Sequence, residues 1–207
     1  IGGLHKVMRP FNAAEFGDRI DYLLNLYDPE INYAQLNLLD SHDTPRFLTT
    51  AGGDESALRL AYLFIFTYIG APCVYYGDEI GLDGGPDPEC RKSFPWEESR
   101  WNQELRTYMK DLIHLRNSHP ALRRGSYKSI TSDQDVIAYL RQYEGETYLV
   151  VINAGSKERN QDIDITNAGI STRAVKVLFG SCLATLGDNS LHMEHLLSRQ
   201  GVVLKLG

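Results

Sequence analysis

Three cysteines in 207 residues, Cys73, Cys90 and Cys182, are an odd number at unrelated spacings, which excludes a disulfide framework. Such usage belongs with a reducing compartment, so a cytoplasmic location is expected. Positive charge is also short: 21 Lys and Arg against 27 Asp and Glu leave a net charge of -6. The basic residues are scattered among acids, and no stripe exists that would neutralise a phosphate backbone, so nucleic acid is not an expected partner. Long hydrophobic runs are absent too. The longest strongly apolar stretch, residues 58–69, contains Arg59 and falls short of the roughly 20 apolar residues needed to cross a bilayer. A soluble chain without a membrane partner is expected. It opens Ile1-Gly2-Gly3, with neither a methionine nor a charged-then-apolar leader, so the natural N-terminus and any targeting segment are expected to lie outside it. No internal repeat and no low-complexity tract occurs.

What is present is a globular composition, 43% hydrophobic, enough for one large or two medium domains. Phe16, Ile20, Leu23, Leu24 and Tyr27 form a helical stripe over 13–27, closed by Asp28-Pro29. A short run over 33–39 reads as a strand. Asp54 is placed to cap a helix over 57–69 that is apolar almost all round and therefore buried. Gly70-Ala71-Pro72 closes it. Residues 73–76 are continuously apolar, as in a parallel strand covered on both faces, with Cys73 a buried inert thiol. After a Gly/Pro-rich loop, Leu105, Tyr108, Met109, Leu112 and Leu115 mark a helix over 102–118, with Pro120 beyond its end.

Past Arg124 the period becomes strand-like, over 136–143, 147–153, 162–165, 174–179 and 202–206, with turns at 144–146 and 187–189. Short strands at this spacing point to an antiparallel sandwich. Alternating helices and strands before it imply parallel pairing, yet only two strands are available, too few to cover themselves. The expected class is α/β plus all-β: residues 1–124 as the last section of a (β/α)8 TIM barrel, and residues 125–207 as a β-sandwich, with the boundary near Gly125.

The segment Asn37-Leu38-Leu39-Asp40-Ser41-His42-Asp43-Thr44-Pro45-Arg46 runs a hydrophobic strand directly into His-Asp. In a parallel barrel, catalytic groups sit where strands meet their following loops, and His42 and Asp43 occupy that place. Spacing alone equally allows a plain turn in which Asp43 caps local backbone. Arg46 is read as holding the loop by pairing with a nearby acid.

This segment resembles the fourth conserved region of the α-amylase family, glycoside hydrolase family 13, and is most similar to its neopullulanase, cyclomaltodextrinase and maltogenic amylase branch. Gly70-Ala71-Pro72-Cys73-Val74-Tyr75-Tyr76-Gly77-Asp78-Glu79-Ile80-Gly81 is similar to the last barrel strand and its loop. Asp87-Pro88-Glu89-Cys90-Arg91 resembles a substrate-side loop, and residues 116–122 resemble the final barrel helix. The resemblance implies that Asp43 is the third acidic residue of the site and that His42 sits beside it, both bonding sugar hydroxyls where cleavage occurs. Such bonds tighten as the ring flattens toward an oxocarbenium-like transition state. It also implies that Asp87 and Arg91 contact a glucose unit away from the scissile bond; the alternative is a surface ion pair.

A retaining mechanism needs a nucleophile and a general acid roughly 5 Å apart. No Gly-x-Arg-x-Asp motif and no matching Glu motif occurs upstream of Asn37, and Glu79 is read as a loop residue rather than an acid. The 207 residues alone are therefore expected to hydrolyse nothing. An isolated chain is expected to form a homo-oligomer that covers open barrel edges. Trp96 and Trp101 are read as packing against the helix in preference to stacking on sugar. His192-Met193-Glu194-His195 does not have zinc-site spacing and is read as solvated surface. No metal and no cofactor is assigned; the partner is an α-glucan oligosaccharide. Two other readings remain: a non-catalytic superfamily member serving as an interaction module, and a carbohydrate-binding sandwich.

Overall fold

The computed structural model describes residues 11–133, 135–165, 169, 170, 172–188 and 190–207. The opening Ile1-Gly2-Gly3 and Asn189 of the expected 187–189 turn lie outside them. Helix α1 (Ala13–Leu26) starts at a reciprocal cap: Asn12 Oδ1 accepts from the Glu15 amide at 2.8 Å, and Glu15 Oε2 accepts from the Asn12 amide at 3.1 Å. Asp28-Pro29 ends this helix but also begins another, α2 (Pro29–Ala34), because proline suits a first helical position. The strand expected over 33–39 is accordingly cut to β1 (Leu36–Asn37).

A short helix α3 (Phe47–Thr50) leads to α4 (Glu55–Thr67), where Asp54 caps as expected by accepting from the Ala57 amide at 3.1 Å. Next comes β2 (Ala71–Pro72), parallel to β1, with Leu36 opposite Ala71 and Asn37 opposite Pro72. The strand expected over 73–76 therefore lies two residues early. Gly70 explains the shift. Its φ of +93° is accessible to glycine, and a Cβ there would meet Gln35 O and Asn37 Nδ2 at 2.6 Å. The chain thus leaves α4 straight onto the flank of β1, and the Cys73 amide closes the ladder on Asn37 O at 2.7 Å. Cys73 is half-buried, not buried as expected.

Helix α5 (Gln103–Ser118) is capped by Asn102, and Pro120 opens α6 (Pro120–Arg124) instead of merely following a helix. Among the described residues eight strands follow: β3 (Ser126–Asp133), β4 (Val136–Tyr143), β5 (Glu146–Asn153), β6 (Arg159–Asp164), β7 (Val175–Phe179), β8 (Leu183–Leu186), β9 (Ser190–Leu196) and β10 (Gln200–Leu206). They form a five-stranded sheet in the order β3-β4-β5-β10-β7 and a three-stranded sheet in the order β6-β9-β8, with every pairing antiparallel. Three of these strands, β3, β8 and β9, were not expected from the sequence.

The middle strands of the larger sheet, β4, β5 and β10, are buried on both faces. Ile137, Tyr139, Tyr148, Val150, Ile152 and Val203 share a core with Leu58, Leu63 and Phe66 of α4 and Leu105, Met109 and Leu112 of α5. Alternate residues of the same strands, among them Ala138, Leu140, Leu149, Val151, Val202 and Leu204, meet Leu191, Met193 and Leu196 of the smaller sheet. Double coverage is why residues 136–140, 148–152 and 202–204 are apolar without interruption.

Two buried arginines tie the helices to the sheet. Arg116 donates to the carbonyls of Phe66, Tyr68, Gly70 and Leu122, and Arg141 to those of Thr67, Leu122, Gly125 and Ser126. Both therefore sit at the C-terminal end of α4, where unsatisfied carbonyls and the helix dipole favour a cation. Burial lowers each guanidinium to about 10, which leaves both charged at neutral pH.

Candidate active site

Because β1 and β2 are parallel, the loops that follow them leave the same end of the pair. The first carries Asp40 through Arg46, the second Cys73 through Trp96. In the first loop the local backbone is satisfied by residues other than Asp43. Asp40 Oδ2 accepts from the Phe47 amide at 2.5 Å and caps α3, the Ser41 amide donates to Thr44 Oγ1 at 3.0 Å, and the Asp43 amide donates to Ser41 Oγ at 3.2 Å. The Asp43 carboxylate lies 3.3 Å from His42 Nε2, with the two side chains 77% and 64% exposed. The turn is capped, but not by Asp43, whose carboxylate faces outward beside the imidazole.

Beneath this pair Arg46 is fully buried. Its amide donates to Gly84 O at 2.9 Å, its Nε to Cys90 O at 3.0 Å, and its Nη1 to Tyr76 O at 2.7 Å and Asp78 Oδ1 at 3.0 Å. The guanidinium also lies over the rings of Tyr75 and Tyr76, 4.0 and 4.6 Å from their centroids. The expected acidic partner is therefore Asp78, and one arginine gathers three segments of the second loop under the first. Asp78 is itself buried and accepts from Tyr62 Oη at 2.5 Å. Desolvation, and then the neighbouring charge of Asp40, raise its carboxyl to about 7. Sequence reasoning missed Asp40, Tyr62 and Asp78. Their signal was weak, an acid just before Ser-His-Asp and another just after Tyr-Tyr-Gly.

Asp87 and Arg91 sit on the rim of the second loop and pair with each other, each about half exposed. The carboxylate of Asp87 is the main cause that raises the Arg91 guanidinium, and the charge of Asp43 adds to it. Cys90, next to Arg91, donates its thiol to His42 O at 3.2 Å. The four residues expected at the site thus stand on two loops joined by Cys90 and Arg46.

Glu79 turns back on its own loop and accepts from the Gly77 amide at 2.7 Å. Trp101 packs as expected, with Arg106 of α5 over its ring at 4.9 Å and its Nε1 donating to Pro95 O. Trp96 does not: it is 82% exposed and meets Phe94 edge-on at 4.9 Å. His192 and His195 pair with surface acids, His192 with Asp162 at 2.5 Å and His195 with Glu158 at 2.6 Å.

The family described as "Alpha amylase, catalytic domain" matches residues 10–125, more than half of the chain. The chain belongs to the α-amylase family. A second family, described as "Maltogenic Amylase, C-terminal domain", matches residues 128–194. A cyclomaltodextrinase of Geobacillus thermopakistaniensis is 45% identical over 148 residues, 70% of this chain and 25% of that protein. Neopullulanase 2 of Thermoactinomyces vulgaris is 38% identical over 163 residues, 78% of this chain and 28% of that protein. Among solved structures, the native debranching enzyme of Nostoc punctiforme superposes with a TM-score of 0.87 at 38% identity, covering 95% of this chain and 40% of that one. The chain spans about a quarter of the length of the curated relatives it matches. Its α-amylase-family neighbours and its antiparallel sheets fit the C-terminal portion of a barrel followed by a sandwich.

Proposed function

We propose that this chain is the C-terminal barrel section and sandwich of a retaining α-glucan hydrolase or transglycosylase that acts on α-1,4, and also α-1,6, glucosidic bonds of cyclodextrins, pullulan or maltooligosaccharides. The observation that carries this reading is the outward-facing Asp43–His42 pair at the mouth of β1, relieved of backbone capping by Asp40 and Ser41. An ionised acceptor and an imidazole so placed can hold two sugar hydroxyls, and bonds to a charged acceptor strengthen most as the ring flattens. Asp87 and Arg91 act one or more sugar units away, sharing their mutual ion pair with glucose hydroxyls. The nucleophile and general acid come from barrel strands outside these 207 residues.

The edge of β1 away from β2, unpaired among the described residues, supports the same arrangement. Leu36 is 61% exposed, and a hollow of about 420 Å³ beside it is lined by Phe16, Ile20, Leu23, Leu38, Phe64 and Tyr68. Further parallel strands, or in their absence a second copy of the chain, cover this apolar flank. Free thiols at Cys73, Cys90 and Cys182 suit a cytoplasmic setting.

The test is made on the protein encoded by the complete reading frame. Asp43→Asn is expected to lower kcat/KM on cyclodextrin by about 100-fold or more, the scale of losing one transition-state hydrogen bond. Undiminished turnover in that variant would sink the proposal. The 207-residue chain alone is expected to release no reducing sugar from maltoheptaose.

A further inference from the structure

The hub beneath the two loops has a charge imbalance. Asp40, Asp78 and Arg46 are all buried, so two carboxylates face one guanidinium away from water. The phenol of Tyr62, also buried, stays neutral, because desolvation and the adjacent Asp78 push its ionisation far upward. If both acids were ionised, the pocket would hold an uncompensated negative charge, which a low-dielectric interior penalises heavily. A second observation is independent of that count. Asp40 Oδ2 is satisfied by the Phe47 amide, but Asp40 Oδ1 is buried with no donor. Asp78 is the neighbouring buried acid: Asp40 holds the Phe47 amide, the adjacent Arg46 holds Asp78, and a hydrogen bond with Asp40 is among the causes that raise the Asp78 carboxyl. Two carboxyl groups in contact, one lacking a donor, are completed by a single proton.

We propose that Asp78 keeps its proton near neutral pH and donates it to Asp40, and that Asp78 in this form is a positioning residue clamping the loop of His42 and Asp43 onto the loop of Asp87 and Arg91. With the proton in place the hub is neutral: Asp40 accepts from Asp78, and Asp78 accepts from Tyr62 and Arg46. When the proton leaves, two anions repel across the joint and the first loop loosens. The groups facing Asp78 or lying next to it are Asp40 on the loop after β1, Arg46 ahead of α3, Tyr62 on α4, and Glu79, Tyr75 and Cys90 on its own loop. Among these, Arg46 is the cation. The part assigned to the loops rests on the glucan-cleavage reading, whereas the proton on Asp78 does not.

Two readouts on the 207-residue chain test this without any sugar. The first is the infrared carbonyl band of a protonated carboxyl, followed from about pH 5 to about pH 9. Above the signal of surface carboxyls common to every variant, it is expected at the acid end and lost toward the alkaline end, absent in Asp78→Asn and moved to lower pH in Asp40→Asn, where desolvation alone still raises Asp78. The second is alkylation of Cys90 in a background with Cys73 and Cys182 changed to serine, normalised to the unfolded chain at each pH. Since Cys90 is buried against His42 O, its protection reports closure of the joint. Protection is expected to fall at least about tenfold across that range in the parent. In Asp78→Asn it is expected to stay constant, because the amide donates to Asp40 Oδ1 as the protonated acid would. Failure of the parent chain to show the band, or the same pH course of Cys90 protection in Asp78→Asn as in the parent, overturns the proposal. If one variant does not fold, the parent band and the other variant still decide. Loss of sugar cleavage is not among these readouts, so the functional proposal fails or stands separately.

Discussion

A single methyl group at position 201 probes how the sandwich is fastened to the helices. Gly201 lies in β10, and a Cβ built there would sit 2.1 Å from Leu63 Cδ2, 3.3 Å from Leu60 Cδ2 and 3.5 Å from Ile152 Cγ1. Leu63 is fully buried in the core shared by α4 and the larger sheet, so it has no open space in which to retreat. Gly201→Ala is therefore expected to destabilise the chain by about 1–3 kcal/mol, as overpacking of a dense core does. Leu63→Ala alone is expected to cost about 2–5 kcal/mol through lost burial and a residual cavity. In the double variant the new methyl group enters the space vacated by Leu63. The two costs should then fall short of their sum by at least ~1 kcal/mol, well outside the roughly 0.3–0.5 kcal/mol within which independent sites add. Urea unfolding of the four proteins, followed by tryptophan fluorescence and circular dichroism, supplies the cycle. Additive costs would refute direct packing of β10 on α4, and with it the claim that the middle strands of the sheet are covered on both faces.

Other outcomes follow from the site. His42→Ala and Asp43→Ala, at exposed positions, should each change unfolding stability by no more than about 0.5 kcal/mol, so any activity they lose in the complete protein cannot be ascribed to unfolding. Arg46→Met should cost about 3–5 kcal/mol in a denaturant titration, because it leaves the buried negative charge of the Asp40 and Asp78 hub without its cation. Asp78 should also leave a mark on stability against pH. Its folded pKa of about 7 lies above the 3.8 of an unperturbed aspartate, so folding takes up a proton between them. The stabilisation is fully present below pH 3.8 and is lost as pH rises through 7. The stability of the parent chain minus that of Asp78→Asn is expected to fall over this window. A flat difference, measured by thermal unfolding at successive pH values, would contradict a raised carboxyl.

The helices were legible because each combined an apolar stripe with a cap, as Asp54 does for α4 and Asn102 for α5. Short strands were harder. At β1 a two-residue ladder leaves no room for alternation, and its partner was misplaced because the φ of Gly70, a tertiary fact, decides where pairing starts. Strand β9 does alternate, with Leu191 and Met193 inward and His192 and Glu194 outward, but only Leu191, Met193 and Leu196 are apolar along it, too short a run to stand out from a surface loop. Strand β3, mostly polar, lies at a sheet edge and lacks the usual signal altogether. Likewise, the motif drew attention to His42 and Asp43, while the buried acids that support them stood out only once Arg46 had been followed to its partners. Contacts between segments as far apart as Asp40 and Asp78 belong to the packing, not to any local run of residues.

The two guanidinium groups at the end of α4 make a joint of an unusual electrical kind. Arg116 and Arg141 grip peptide oxygens and not acids, and peptide oxygens do not titrate. Acidification has no counter-ion to neutralise there, and added electrolyte barely reaches so shielded a contact. The seam between helices and sheet should hold from mildly acidic to mildly alkaline solution, while the hub under the two loops should respond to proton concentration, which would leave the molecule with one rigid hinge-plate and one adjustable one.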